Sequence, residues 1–170
     1  EQMGTTYKGF LYAGLMIVNN EPYLIEYNIR MGDPECQSIL SRLETDFLEI
    51  IFASLNNNIL NLNIEWKKEK SICIVLCSKG YPGKFKKNIE IKNINNIDLK
   101  KNEFIFHAGT YQKNKKVYSN GGRVLNIVTL SSDLITARNK AIKIINNLKW
   151  KNGFYRKDIG WKVIKKNADY

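Results

Sequence analysis

From residue 9 to residue 28 the chain reads as two apolar runs around a polar break. Gly9 to Val18 (Gly-Phe-Leu-Tyr-Ala-Gly-Leu-Met-Ile-Val) is almost continuously apolar, with aromatic and branched side chains, the pattern of a buried strand. Asn19-Asn20-Glu21-Pro22 is turn chemistry, so this run and Tyr23 to Asn28 predict an antiparallel hairpin. Side chains on a strand alternate faces. Glu26, Asn28 and, if the strand continues, Arg30 then share one face, while Ile25, Tyr27 and Ile29 form the other, the expected core face. Met31-Gly32-Asp33-Pro34 breaks the strand, because Gly permits unusual dihedrals and Pro cannot continue a ladder. Glu35 to Leu43, with Ile39, Leu40 and Leu43, predicts a short helix. Thr45 can cap a second helix, whose apolar positions Phe47, Ile50, Ile51 and Leu55 keep helical spacing before Asn56-Asn57-Asn58. These helices are expected to cover the apolar face of the hairpin.

Further on, short strands dominate. Ser71 to Ser78 (Ser-Ile-Cys-Ile-Val-Leu-Cys-Ser) reads as a central strand and Lys79-Gly80-Tyr81-Pro82-Gly83 as a tight loop. Ile89 to Ile91, Glu103 to Ala108, Lys116 to Ser119 and Arg123 to Leu130 read as further strands separated by Asn, Lys and Gly. Ser132 can cap a long amphipathic helix carrying Leu134, Ile135, Ala141, Ile144, Ile145 and Leu148, which ends at Trp150-Lys151-Asn152-Gly153. There are no internal repeats, and the tail after Ile164 is polar and expected to fray. The expectation is an α+β chain: an antiparallel hairpin covered by helices, then a small β-rich domain with one long helix.

Composition supports a folded chain, with 44% hydrophobic and 11% aromatic residues in 170. That length holds one large or two small domains with real cores. The formal charge of +11 invites a nucleic-acid reading, so its distribution matters. Glu1 to Glu65 carries three Lys/Arg against nine Asp/Glu, and Trp66 to Tyr170 carries 24 against seven. The sign change predicts a domain boundary near Asn63 to Lys70. The lysines are scattered through Asn-rich loops and do not interleave with aromatics as a stacking platform would, so a solvated surface is expected in place of a nucleic-acid patch. The wealth of Lys, Asn and Ile also resembles a coding bias. No apolar run approaches the ~20 residues that span a bilayer, and Glu1-Gln2-Met3-Gly4 does not resemble a signal peptide. Cys36, Cys73 and Cys77 follow no zinc spacing; Cys73 and Cys77 lie in one apolar run, where buried thiols are expected. A reducing cytoplasm suits this usage.

The candidate chemistry concentrates between Leu24 and Gln37. A carboxylate and an amide oxygen two residues apart, Glu26 and Asn28, can share a hard cation such as Mg²⁺, which completes its shell with substrate phosphates. Arg30 could clamp a transferring phosphoryl group. Taken alone, Glu-x-Asn-x-Arg leaves both readings open and favours the plainer one, an edge strand with a solvated polar face followed by a turn.

Seven ordered blocks lift that ambiguity: Tyr7 to Met16, Glu26-Tyr27-Asn28, Arg30 to Gln37, Gly80-Tyr81-Pro82-Gly83, Phe106 to Thr110, Gly121 to Leu125 and Arg156 to Gly160. Together they span essentially the whole chain, and they resemble the C-terminal part of the phosphoribosylamine-glycine ligase family, also called glycinamide ribonucleotide synthetases. Met31 stands where the family usually has Leu or Phe, a volume-conserving apolar swap. The resemblance implies that residues 1–65 are the C-terminal part of an ATP-grasp domain and 66–170 the family's C-terminal domain. It implies an ATP-dependent ligase of purine synthesis: ATP phosphorylates glycine, and the amine of 5-phosphoribosylamine attacks the acyl phosphate. Glu26 and Asn28 would then hold Mg²⁺ or Mn²⁺ against the ATP phosphates. Arg30 would stabilise charge on the transferring group or the glycine carboxylate. Gly32, Asp33 and Pro34 would form a substrate loop, with Asp33 facing an amine. Arg123 is the candidate clamp on the ribose 5-phosphate, a surface arginine flanking a strand being the plainer alternative. His107, the only histidine, ends an apolar strand, where a hydrogen-bonded structural role is expected over a general base.

An enzyme of this family also has an N-terminal nucleotide-like domain, a glycine-rich lid and most of an adenine pocket. None of these is in this sequence, and no Gly-x-Gly-x-x-Gly or Walker sequence replaces them. The chain is therefore expected to begin inside the ATP-grasp domain, to need that N-terminal portion as its partner, and to be inactive alone. Two other classes stay in view: a non-catalytic interaction module, marked by a long exposed apolar patch, and a basic nucleic-acid-binding domain, marked by steep salt dependence.

Overall fold

The computed structural model describes residues 4–166. The polar tail expected after Ile164 lies, from residue 167 on, outside the described residues, as do Glu1 to Met3. The chain divides into two compact units: Glu1–Cys36 with Leu43–Lys67, and Gln37–Arg42 with Lys68–Tyr170. Among the described residues no helix is long and apolar enough to cross a membrane.

In the first unit, β1 (Tyr12–Val18) and β2 (Glu21–Asn28) pair antiparallel. Asn19 and Asn20 join them with φ of 52° and 65°, the two positive values that a two-residue hairpin turn matching strand twist requires. The register slips between Gly14 and Leu15, leaving Ile25 unpaired as a bulge. A short helix α1 (Glu35–Leu40) follows, which passes into the second unit from Gln37 on, and then a longer α2 (Phe47–Leu55) in the first. The expected cover does not form. Ile25, Tyr27 and Ile29 are 64, 62 and 75% exposed, and the run from Leu15 to Val18, expected to be buried, is about half exposed. The apolar side of α2 turns to the segment before β1: Phe10 stacks on Phe47 at 5.7 Å, and Phe10, Ile50, Ile51, Leu55 and Ile59 line a cavity of about 370 Å³. The cap of α2 is also shifted. Asp46 accepts from Leu48 N at 2.8 Å, while Thr45 accepts from Glu65 N at 2.7 Å and ties the segment after the helix.

The second unit holds β3 (Lys70–Ser78), β4 (Ile89–Glu90), β5 (Glu103–His107), β6 (Thr110–Lys113), β7 (Lys116–Ser119), β8 (Arg123–Ser131), α3 (Leu134–Asn147), β9 (Gly153–Phe154) and α4 (Trp161–Lys166). They form a four-stranded antiparallel sheet ordered β5-β8-β3-β9 and a three-stranded one ordered β4-β7-β6. Ile72, Ile74, Leu76, Leu125 and Ile127 alternate onto one face of the larger sheet, and α3 buries Ala137, Ala141, Ile144 and Ile145 in the same core. Thr129 Oγ1, buried between them, donates to Ala137 O at 2.6 Å. Asp133, not Ser132, caps α3 by accepting from Thr136 N at 2.8 Å. Cys73 and Cys77 point away from this core and are half-buried, not fully buried as expected. The α+β expectation holds.

Candidate functional site

Glu26 and Asn28 stand on one face of β2, as alternation requires, and Asn28 Nδ2 donates to Glu26 Oε1 at 2.9 Å. Opposite them in register are Gly14 and Tyr12. β2 ends at Asn28, so alternation does not carry Arg30 onto that face. Arg30 is exposed, and its Nη1 donates to Met31 O at 3.0 Å. Two tyrosines that sequence reasoning passed over hold this strand end. The Tyr7 hydroxyl lies 2.5 Å from Phe10 O and 3.3 Å from Ile29 O, and the Tyr12 hydroxyl reaches Glu35 Oε1 at 3.5 Å. Gly32 is buried, Asp33 exposed, and Asp33-Pro34 is cis. Cys36 N closes the turn by donating to Gly32 O at 2.9 Å.

The donor set is of the kind a hard cation takes, a carboxylate and an amide two residues apart; Asn28 turns its Nδ2 to Glu26, and rotating the amide by half a turn would bring Oδ1 beside the carboxylate. Among the described residues no group of three or more His, Cys, Asp or Glu could hold a metal. The rest of the shell would therefore fall to phosphate oxygens and water, as is usual for Mg²⁺.

In the second unit three of the motif blocks converge on Arg123. Gly109 and Gly121 cross with their backbones in contact: a Cβ on Gly109 would lie 2.6 Å from Gly121 Cα and 2.7 Å from Arg123 O. Gly109 N donates to Arg123 O at 3.0 Å, Asn120 N to Gly109 O at 2.7 Å, Ser78 N to Gly122 O at 2.8 Å and Ser78 Oγ to Gly121 O at 2.8 Å. The ring of Tyr81, from the Gly80–Gly83 loop, lies on Gly122 where a side chain would otherwise sit. Arg123 is exposed and pairs with Cys77 across the strands. Burial pushes the Cys77 thiol above its ordinary value, and the Arg123 guanidinium partly opposes this. His107 is exposed, with Nδ1 sharing a 2.9 Å hydrogen bond with Thr110 Oγ1. Near the chain's end, Arg156 grips Asp158 with two bonds, Nε to Oδ1 at 3.1 Å and Nη2 to Oδ2 at 2.7 Å. These hold the Asp158 carboxyl below the usual range.

The family described as "Phosphoribosylglycinamide synthetase, C domain" matches residues 71–162, and "Phosphoribosylglycinamide synthetase, ATP-grasp (A) domain" matches residues 1–36. The chain is 46% identical over 156 residues to a phosphoribosylamine–glycine ligase of Caldanaerobacter subterraneus, covering 92% of this chain and 37% of that protein. Against the chloroplastic phosphoribosylamine–glycine ligase of Arabidopsis thaliana the identity is 37%, covering 95% and 31%. The crystal structure of a phosphoribosylamine–glycine ligase from Thermotoga maritima is similar with a TM-score of 0.79 and 32% identity, over 94% of this chain and 39% of that one. The chain thus spans well under half the length of the relatives it matches.

Proposed function

We propose, given that this chain belongs to the phosphoribosylglycinamide synthetase family, that it serves the ATP-dependent joining of glycine to 5-phosphoribosylamine. The reaction passes through a glycyl phosphate and yields glycinamide ribonucleotide, ADP and phosphate, in the cytoplasm. Residues 1–65 act as the C-terminal part of the ATP-grasp domain and residues 66–170 as the C-terminal domain, and catalysis needs the portion of the relatives that this chain does not span.

The observation that carries the reading is the Glu26–Asn28 contact at the end of β2. Glu26 and Asn28 would hold Mg²⁺ or Mn²⁺, which supplies charge neutralisation on the ATP phosphates. Arg30, exposed just beyond the strand, is the charge partner for the transferring phosphoryl group or the glycine carboxylate. Gly32, Asp33 and Pro34 form the substrate loop, with Asp33 the carboxylate for an amine. Arg123 holds the ribose 5-phosphate; its guanidinium presents a planar fork suited to phosphate oxygens. Support for that role is the rigid, hydrogen-bonded turn on which it sits.

The test is ADP release dependent on glycine and 5-phosphoribosylamine, measured on a ligase made by joining this chain to the part of the Caldanaerobacter relative that it does not cover. Glu26→Ala and Asn28→Ala should each lower turnover by about two decades or more with the fold retained, because charge on the transferring group is then poorly offset. Wild-type turnover of both variants at saturating Mg²⁺ would reject the metal role.

A further inference from the structure

We propose that Glu35 is a positioning residue for the Glu26–Asn28 pair, tying the turn at Gly32 to the first strand through the Tyr12 hydroxyl. This rests on the reading of Glu26 and Asn28 as metal ligands and adds a group that acts on them indirectly. Tyr12 lies directly opposite Asn28 in the hairpin register, so the two side chains rise from the same face as neighbours. From that position the Tyr12 hydroxyl donates to Glu35 Oε1 at 3.5 Å, the outer limit of a hydrogen bond. The other carboxylate oxygen folds back over Gly32: a Cβ at that residue would overlap Glu35 Oε2 and lie 2.9 Å from its carboxyl carbon. The Glu35 carboxylate thus occupies the space a side chain at 32 would take, and it would have to rotate away to admit one. Cys36 N, donating to Gly32 O, closes the turn beneath.

One carboxylate therefore touches both ends of the segment from Asn28 to Gly32, the first through Tyr12 and the second directly. That segment carries Arg30 and leads into Asp33, and both are exposed. With a weak contact at one end and close packing at the other, Glu35 acts by steering the strand end and contributes little binding energy of its own. Outer groups that orient metal ligands commonly alter metal affinity by 10- to 100-fold, and the long Tyr12 contact puts the expected effect at the low end.

Mn²⁺ is the probe, read in the 170-residue chain by its paramagnetic broadening of the Asn28 side-chain amide, which detects weak binding. Amide hydrogen exchange at Cys36 reports the turn without any metal. Glu35→Ala and Tyr12→Phe should each weaken Mn²⁺ by about tenfold and speed Cys36 exchange, and the double variant should be no worse than the poorer single, as expected for residues acting as one unit. Glu35→Gln, which keeps an oxygen for Tyr12 and the volume over Gly32, should stay close to wild type in both. Should Glu35→Ala bind Mn²⁺ like the wild type, or Glu35→Gln bind as poorly as Glu35→Ala, positioning by Glu35 is wrong; the second result would make its charge the cause. If Mn²⁺ leaves the Asn28 amide of the wild type sharp, the metal reading itself falls and takes this proposal with it.

Discussion

Replacing Gly109 by alanine demands space that backbone already fills. The new Cβ would lie 2.6 Å from Gly121 Cα, 2.7 Å from Arg123 O and 2.8 Å from Gly121 N. None of these belongs to a side chain that could rotate away. Carbon atoms pack at about 3.5–4.0 Å, so the two segments must separate by about 1 Å. The separation stretches Gly109 N to Arg123 O, now 3.0 Å, and Asn120 N to Gly109 O, now 2.7 Å. Overpacking costs about 1–3 kcal/mol, and loss of one such hydrogen bond adds about 1 kcal/mol, for a total of roughly 2–4 kcal/mol. In a domain the size of the second unit each kcal/mol lowers Tm by about 4–8 °C, so the expected fall is roughly 10–30 °C. Thermal unfolding followed by circular dichroism is the assay. Gly83→Ala is the control, since its Cβ would meet only Gly80 O, at 3.2 Å. If Gly109→Ala melts within about 3 °C of wild type, or no lower than Gly83→Ala, the crossing is looser than these distances say and the reasoning fails.

In the joined ligase described above, Arg123→Ala should raise KM for 5-phosphoribosylamine and leave those for ATP and glycine nearly alone, because a remote phosphate contact binds ground and transition states alike; equal effects on all three would indicate a folding defect. Arg123→Gln should also push the Cys77 thiol further up, since the guanidinium opposes the effect of burial. Less thiolate means slower iodoacetamide alkylation at mildly alkaline pH, and an unchanged Cys77 rate by peptide mapping would refute the pairing. Hydrogen bonds from the Thr136 N–H and hydroxyl hold the Asp133 carboxyl below its usual value. Its folded pKa being depressed, the stability it contributes is present above the unfolded value of ~3.9 and is lost as pH falls through the folded one. Asp133→Asn should therefore show a shallower loss of Tm between pH 5 and pH 2 than wild type, and parallel curves would contradict it.

Much of the fold was legible because period and punctuation agreed. Asn19-Asn20 marked the hairpin turn, and the runs at Ser71 and Arg123 became the two central strands of the larger sheet. Both helix caps moved by one residue, from Thr45 to Asp46 and from Ser132 to Asp133. Each site offers two adjacent capping residues, and a carboxylate gains additionally from the positive end of the helix. Thr110 to Lys113 was not recognised as a strand, because Thr-Tyr-Gln-Lys carries no apolar alternation of its own. It is extended through pairing with Lys116–Ser119 across Asn114 and Lys115, both at positive φ. Asparagine proved more than a coding bias. Among the described residues, seven of the eight non-glycine residues at positive φ are Asn, the residue that tolerates the left-handed region best after glycine. At the site, alternation placed Glu26 beside Asn28, but Tyr12 and Glu35 depend on cross-strand register and a turn folded back on itself, which no single stretch of sequence displays.

The two candidate sites are held in different ways, and the difference follows from burial. Arg123 stands at the start of β8, whose next seven residues from Val124 to Leu130 are fully or almost fully buried, and its turn is fastened by backbone hydrogen bonds from Ser78 and Gly109. Moving it means disturbing the core of the unit. Glu26 and Asn28 stand on a two-stranded hairpin, a structure marginal in water by itself, with Leu15, Ile17, Ile25 and Tyr27 at least half exposed. No described core fixes that hairpin, so the geometry at Asn28 depends on ties made one at a time: Tyr7 to Ile29 O, Tyr12 to Glu35, and Glu35 against Gly32. An exposed apolar face of this kind is what a further protein surface would cover. Covering it would stabilise the strands without changing their register, and the register is what sets Tyr12 opposite Asn28. The placement of Glu26 beside Asn28 is therefore already encoded in the hairpin and its turn, while a surface laid against Ile25, Tyr27 and Ile29 would add rigidity to it.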